Sequence, residues 1–282
     1  MIIVIGKSGQ LAQELNVTKA DREVRFLGRK DINLFDESKL FSALKNYPVT
    51  AIINASAYTA VDKAEVDIHS AYALNSEAVR FLANYCQQEQ IRFIHVSTDF
   101  VFNGSKTEPY VVSDKPHPIN VYGQSKLAGE NAIHHAMDNN YAIVRTSWLY
   151  SCFGDNFVKT MLRLMNERKE LGIVADQFGC PTYARGLAAF LWQLCDQAGT
   201  VPVYHYSDGG QVSWFEFAKE IYSQGRDQGL INREVKLTEI TTEQYRVAAI
   251  RPKYSCLTPN GISVDWRLSL SSCLGEVKIN FI

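Results

Sequence analysis

The sequence predicts an α/β protein: a doubly wound parallel sheet followed by a smaller, loop-rich C-terminal lobe. Two observations carry this. Short β-branched runs alternate with longer amphipathic stretches through the first 150 residues, the pattern of strands joined by right-handed helical crossovers. The runs are also apolar at consecutive positions, so both faces of each strand need helices over them.

In order, the strands are "IIVIG" (2–6), "EVRFLG" (23–28), "AIINAS" (51–56), "RFIHVST" (92–98) and "YAIVRTS" (141–147). The clearest crossover helix runs from Asp67 to Gln90, where Ala71, Leu74, Ala78, Phe81, Leu82 and Tyr85 recur at helical spacing. Thr59-Ala-Val-Asp62 upstream has the form of a capping box with Asp in place of Glu. After Tyr150 turn clusters appear at "CFGDN", "DQFGCPT", "SDGGQ" and "TPNG", between helical stretches at 156–168, 184–196 and 214–224. The expected division is therefore 1–150 for a nucleotide-binding domain and 151–282 mainly for a substrate domain, with some later helices free to return to the first.

Composition narrows the function. A chain of 282 residues, 46% hydrophobic, can bury a full core, and a net charge of -1 without a run of cations argues against nucleic acid as a partner. No apolar run is long enough to cross a bilayer, and the chain opens directly on its first strand, so a soluble, cytoplasmic protein with no membrane partner is expected. The six scattered cysteines include no C-x-x-C pair, which suits reduced thiols, and no His or Cys set has the spacing of a metal site.

Gly6-Lys-Ser-Gly9-Gln10-Leu11-Ala12 follows the first strand and opens a helix, the context in which backbone N–H groups meet a pyrophosphate. At the end of the second strand an acid would bind a ribose hydroxyl and a base a 2′-phosphate. Here the residues are Gly28-Arg29-Lys30, which favour NADPH and leave NADH open; Asp31 and Ile32 then approach the adenine. The third and fourth strands deliver Ala57, Tyr58, Thr59, Thr98 and Asp99 to the carboxyl edge of the sheet, where ligands of such folds bind.

Tyr122 and Lys126 stand four apart on a helix, so they share a face, and an ammonium there is expected to lower the phenol's pKa. By itself the spacing is common on helix surfaces. With a nucleotide turn upstream and the Thr98 hydroxyl on the preceding strand, it supplies a proton donor, its cation and a second carbonyl ligand.

These segments resemble the extended short-chain dehydrogenase/reductases, and within them the dTDP-4-dehydrorhamnose reductases. The likeness runs through "GKSGQLAQEL", "INASAYTAVDKAE", "STDFVFNG", "NVYGQSKLAGE", "VRTSWLY", "GDNFVKTMLRL", "DQFGCPT" and "RPKYSCL". It implies a Rossmann domain binding NAD(P)H and a C-terminal domain that takes a dTDP-sugar. It implies hydride transfer to the C4 ketone of dTDP-4-dehydro-6-deoxy-L-mannose, giving dTDP-L-rhamnose for cell-surface polysaccharide. Tyr122 is then the proton donor, Lys126 the residue that binds the nicotinamide ribose and tunes the tyrosine, and Thr98 a ligand of the carbonyl oxygen. The resemblance assigns Gly9, Gln10 and Leu11 to the pyrophosphate and Ala57, Tyr58 and Thr59 to a second cofactor segment. Thr98, Asp99 and Trp148 become substrate contacts, with Asn156 and the "DQFGCPT" loop near the nucleotide.

Two departures bear on this. Ala12 replaces a third glycine, a mild change. Some members use a glutamate in the segment matching "PTYARGLA", with the residue matching Glu14, to hold magnesium at a dimer interface; here Arg185 stands in that place, which argues against Mg2+ and that form of homodimer. Phe100, where related dehydratases carry a glutamate after Thr-Asp, cannot exchange a proton and points to reduction instead of water elimination. Two alternatives stay open: a non-catalytic NADP-binding protein like the regulatory subunit of methionine adenosyltransferase, and a reductase of a related dTDP-4-keto-6-deoxy sugar.

Overall fold

The computed structural model describes residues 1–197, 201–261 and 263–281. The strands are β1 (Ile2–Ile5), β2 (Val24–Leu27), β3 (Ala51–Asn54), β4 (Arg92–Thr98), β5 (Tyr141–Thr146), β6 (Leu149–Tyr150), β7 (Glu170–Val174), β8 (Phe178–Gly179), β9 (Thr182–Tyr183), β10 (Val203–Tyr206), β11 (Val212–Ser213) and β12 (Lys236–Ile240). The helices are α1 (Gln10–Thr18), α2 (Glu37–Leu44), α3 (Val61–Ala64), α4 (Ile68–Tyr72), α5 (Ala78–Gln88), α6 (Val121–Ala136), α7 (Phe157–Glu167), α8 (Ala184–Asp196), α9 (Trp214–Asp227) and α10 (Trp266–Phe281).

Six strands form one parallel sheet in the order β10-β5-β4-β3-β1-β2. The order reverses between β1 and β3, which opens a crevice at the strands' carboxyl ends. Alternation along each strand divides its side chains between two cores. Ile3, Ile5, Ile52, Phe93 and Ile143 pack with Leu40, Leu44, Val79, Leu82 and Ile133 of α2, α5 and α6. Val4, Ile53, Ile94, Ala142 and Val144 pack on the other face with Leu11 and Leu15 of α1 and Leu187, Ala188 and Leu191 of α8.

All five strands expected from the sequence are present. The sixth, β10, comes from beyond residue 150 and pairs with β5, while α8 packs on α1. A separate core, with Met161, Met165, Phe217, Ile221, Leu270 and Leu274, joins α7, α9 and α10 beside the parallel pair β7 and β12.

Two local expectations are corrected. The capping box at Thr59–Asp62 does not form: α3 has Ala60 as its N-cap with no side-chain bond, because the Asp62 carboxylate accepts from Arg251 Nη2 at 2.6 Å and from the Ala249 N–H at 3.1 Å. The long 67–90 helix is also not uniform. Its α4 and α5 segments are joined by a π-helical turn, Ala73–Glu77, whose wider loop turns Asn75 inward.

Candidate active site

Thr98 ends β4 and caps the short 3₁₀ turn Asp99–Val101, its Oγ1 accepting from the Phe100 N–H at 3.2 Å. The same hydroxyl donates to Asp99 Oδ1 at 3.0 Å. Asn120 then starts α6 by accepting from the Gly123 N–H at 2.8 Å, which places Tyr122 in the first helical turn. Gly123 is required here, since a Cβ would stand 2.1 Å from the Phe100 carbonyl oxygen. Further along the same helix a Cβ on Gly129 would stand 2.2 Å from the Asn75 carbonyl oxygen. Those two bare positions let α6 lie against both the 3₁₀ turn and the π turn.

Tyr122, Lys126, Thr98 and Asp99 line a cavity of about 540 Å³ with Gly9, Gln10, Leu11, Ala57, Thr59 and Trp148. A second hollow, of about 1130 Å³, shares Ser8, Gly9, Ala55, Ser56 and Ala57 with it and runs on past Gly6, Arg29, Lys30, Asp31, Ile32 and Tyr58. The two together form one groove across the crevice between β1 and β3, where ligands of such sheets bind, with Tyr122 in the smaller hollow.

The groove fits NADPH on its own features. Gly9 caps α1 without a side-chain bond, so the helix N-terminus is turned to the cavity unblocked. Arg29 and Lys30 are exposed on the outer groove. Asp31 is held away from a ribose by accepting from the Gly28 N–H at 2.9 Å and pairing with Lys7 at 3.5 Å, bonds that keep its carboxyl below the usual range.

A clamp fixes the cofactor segment to the helix that carries the tyrosine. Buried Asn75 accepts from the Tyr58 N–H at 2.8 Å and donates to the Tyr58 carbonyl at 3.1 Å and to Ser125 Oγ at 2.9 Å. Ser125 Oγ in turn donates to the Tyr122 carbonyl at 2.7 Å.

The electrostatics correct one expectation. The Tyr122 phenol is pushed up to about 12 by burial, against the pull of the Thr98 hydrogen bond and with a smaller push from the Asp99 charge. Lys126 does not lower it. The lysine, only 1% exposed, donates to the Val96 carbonyl at 2.7 Å and meets His95 Nε2 at 3.2 Å, while burial takes its own pKa down to about 8. The phenol therefore holds its proton firmly in the free protein, as an acid must before it delivers one. Asp99, which lines the cavity, is taken up to about 7 by burial, against opposing hydrogen bonds from Ser255 and Thr98.

Trp148 adopts the left-handed region, φ 45°, and stacks on Trp214 with ring centroids 3.4 Å apart. Asn156 touches the site only through Gln10, donating to its Oε1 at 3.2 Å. It is not among those lining the cavity: it caps α7 by accepting from the Lys159 N–H at 3.1 Å and donates to the Ser151 carbonyl at 2.7 Å. Arg185 lies between two carboxylates, donating to Glu14 at 2.9 Å and pairing with Glu276. Glu14 is wholly buried and also accepts from Ser151 Oγ at 2.6 Å. A guanidinium fills the position in which a cation would sit.

Sequence reasoning passed over His95, Asn75, Ser125 and Trp214. A polar His inside the apolar run "RFIHVST" was the one available signal, because that position faces α6 alongside Phe93.

Comparison with known proteins agrees with this architecture. The family model described as the RmlD substrate binding domain matches residues 1–278. The dTDP-4-dehydrorhamnose reductase of Sinorhizobium fredii is 39% identical over 91% of this chain and 88% of its own length. That of Aggregatibacter actinomycetemcomitans is 38% identical over 96% of this chain and 97% of its own. The crystal structure of dTDP-4-dehydrorhamnose reductase from Bacillus anthracis in complex with NADP superposes with a TM-score of 0.92 at 36% identity, covering 98% of both chains. Among the described residues no helix is long and apolar enough to cross a membrane. The chain belongs to the RmlD substrate binding domain family, the family of these dTDP-4-dehydrorhamnose reductases.

Proposed function

We propose that this protein is an NADPH-dependent reductase of the C4 ketone of dTDP-4-dehydro-6-deoxy-L-mannose, forming dTDP-L-rhamnose. The observation that carries the reading is the convergence of Thr98, Tyr122 and Lys126 in one cavity at the end of a dinucleotide groove. NADPH, when bound, supplies the hydride. Gly9, Gln10 and Leu11 would hold its pyrophosphate, Arg29 and Lys30 its 2′-phosphate, and Ala57, Tyr58 and Thr59 its inner face.

The chain's own groups complete the reduction. Thr98 Oγ1 and the Tyr122 phenol orient the ketone oxygen, and the phenol passes its proton to that oxygen as negative charge develops. Lys126, which lines the same cavity, would bind the nicotinamide ribose. Asp99 and Trp148 bind the sugar.

This reading places the enzyme in the cytoplasm with a dTDP-sugar as its partner, which suits cysteines that are all unpaired. With Arg185 between Glu14 and Glu276, it includes neither magnesium nor a metal-bridged dimer.

The test is a turnover assay with the 4-keto-6-deoxy dTDP sugar, run with NADPH and with NADH, followed by stereochemical analysis of C4 in the product. Oxidation of NADPH with formation of the rhamnose epimer supports the reading. NADPH binding with no turnover on any 4-keto-6-deoxy dTDP sugar would support the regulatory-protein alternative, and turnover to the C4 epimer a related reductase.

A further inference from the structure

We propose that His95 is a positioning residue for Lys126: it presents a fixed Nε2–H to the lysine nitrogen and stabilises the neutral amine that remains once the lysine's proton has been drawn toward Tyr122. The inference rests on the reading of Tyr122 and Lys126 given above.

The tautomer follows from hydrogen-bond direction. Asn54 Oδ1 meets the Ser56 backbone N–H at 3.1 Å and Ser56 Oγ at 2.7 Å. A backbone N–H can only donate, so this atom is the amide oxygen and the other end of Asn54 is the NH₂. That NH₂ lies 3.1 Å from His95 Nδ1, which therefore accepts. A neutral imidazole with an accepting Nδ1 carries its proton on Nε2. His95 is completely buried, and burial together with the Lys126 charge drives its pKa well below the ordinary value, so the ring is neutral.

Nε2–H is 3.2 Å from Lys126 Nζ. An ammonium has no lone pair to accept it, whereas an amine does, and the amine's own N–H still reaches the Val96 carbonyl at 2.7 Å. The surroundings add one opposing charge. Glu130, one turn further along α6, favours the ammonium, but it is held by Arg145 of β5 at 2.7 Å. Tyr122 on α6 and Asp99 after β4 line the same cavity, and β3 contributes only the uncharged Asn54.

The proton balance gives the device its use. Reduction needs one hydride and one proton: the phenol O–H bond breaks, the alcohol O–H bond forms, and the phenolate is restored by a proton that Lys126 releases. The lysine then has a free lone pair in a dry site. His95 occupies that lone pair until solvent returns the proton.

The test begins with ¹⁵N NMR of the histidine rings in the full chain without cofactor, which reads the tautomer whether or not the protein turns over. The expected result is a neutral His95 protonated on Nε2. Asn54→Asp reverses the polarity, since a carboxylate accepts from Nδ1–H and leaves Nε2 to accept from an ammonium. In this variant the alkaline limb of the kcat profile should move up by about one pH unit. An Nδ1–H or doubly protonated ring in the wild type overturns the proposal, as does an unmoved limb in a variant whose tautomer has switched. If Asn54→Asp does not fold, the wild-type tautomer decides alone. Absence of turnover with a ketosugar would count against the reductase reading and leave the tautomer result intact.

Discussion

Phe100 packs edge-on against Tyr122, with ring centroids 5.9 Å apart and planes at 73°. An apolar ring thus packs on the phenol, and Phe100 adds no second carboxylate to that of Asp99. A carboxylate there would oppose the phenolate that proton delivery leaves behind. Phe100→Leu is expected to keep the reductase rate within about threefold, and Phe100→Glu to lower kcat by at least about tenfold at pH 7. Steady-state kinetics of the two variants checks this.

The outer groove makes a separate claim about cofactor choice. Arg29 and Lys30 line it, while the nearby acid, Asp31, is already bonded to Gly28 and Lys7. Replacing both cations with alanine should raise KM for NADPH about tenfold, the equivalent of one lost charge-assisted phosphate contact, and leave KM for NADH unchanged. Equal effects on the two cofactors would show that these cations do not read the 2′-phosphate.

Glu14 is wholly buried against Arg185. Removing the guanidinium strands a charge in the interior, so Arg185→Ala should cost about 3 kcal/mol in a denaturant melt. Because the arginine already supplies the positive charge, EDTA should leave both Tm and kcat of the wild type unchanged. A loss of either on chelation would contradict this view of the cluster.

Asp99 gives a pH prediction with a definite sign. Its carboxyl has an ordinary pKa of 3.8 and is raised to about 7 in the fold by burial. Between those values the native state binds more protons than the unfolded chain, so this group's contribution to stability falls as pH rises through that window, and it levels off above it. Relative to wild type, Asp99→Asn should become progressively more stable from pH 4 to pH 7, as measured by urea midpoints. A constant difference across that range would mean that Asp99 is ionised throughout.

Much of this was legible in the chain, for physical reasons that differ by element. The strands at 2–6, 51–56 and 92–98 announce themselves because burial on both faces demands unbroken apolar runs. β10 does not: "VYHY" is four residues long, lies at the sheet's edge and carries a histidine that becomes neutral on burial, toward a pKa of about 4. The spacing of Tyr122 and Lys126 correctly put both on one face, yet it could not reveal that Lys126 turns to His95 and the Val96 carbonyl, partners that β4 brings to it from 30 residues away. Asn75 was hidden because a π turn looks like ordinary helix in sequence. The resemblance put Asn156 near the nucleotide, but its role as the N-cap of α7 depends on where that helix begins, which the turn cluster "CFGDN" marks only roughly.

The central claim is that Tyr122 gives the proton that completes reduction of a dTDP-bound ketone. The direct measurement is NADPH oxidation by wild type and Tyr122→Phe on dTDP-4-dehydro-6-deoxy-L-mannose, with NADPH affinity determined for both by fluorescence titration. The account predicts that the wild type converts the ketosugar to dTDP-L-rhamnose, one NADPH per sugar, while Tyr122→Phe binds NADPH normally and is slower by about 10² to 10⁴. Equal rates in the two proteins, or no turnover in either despite normal NADPH binding, would contradict it.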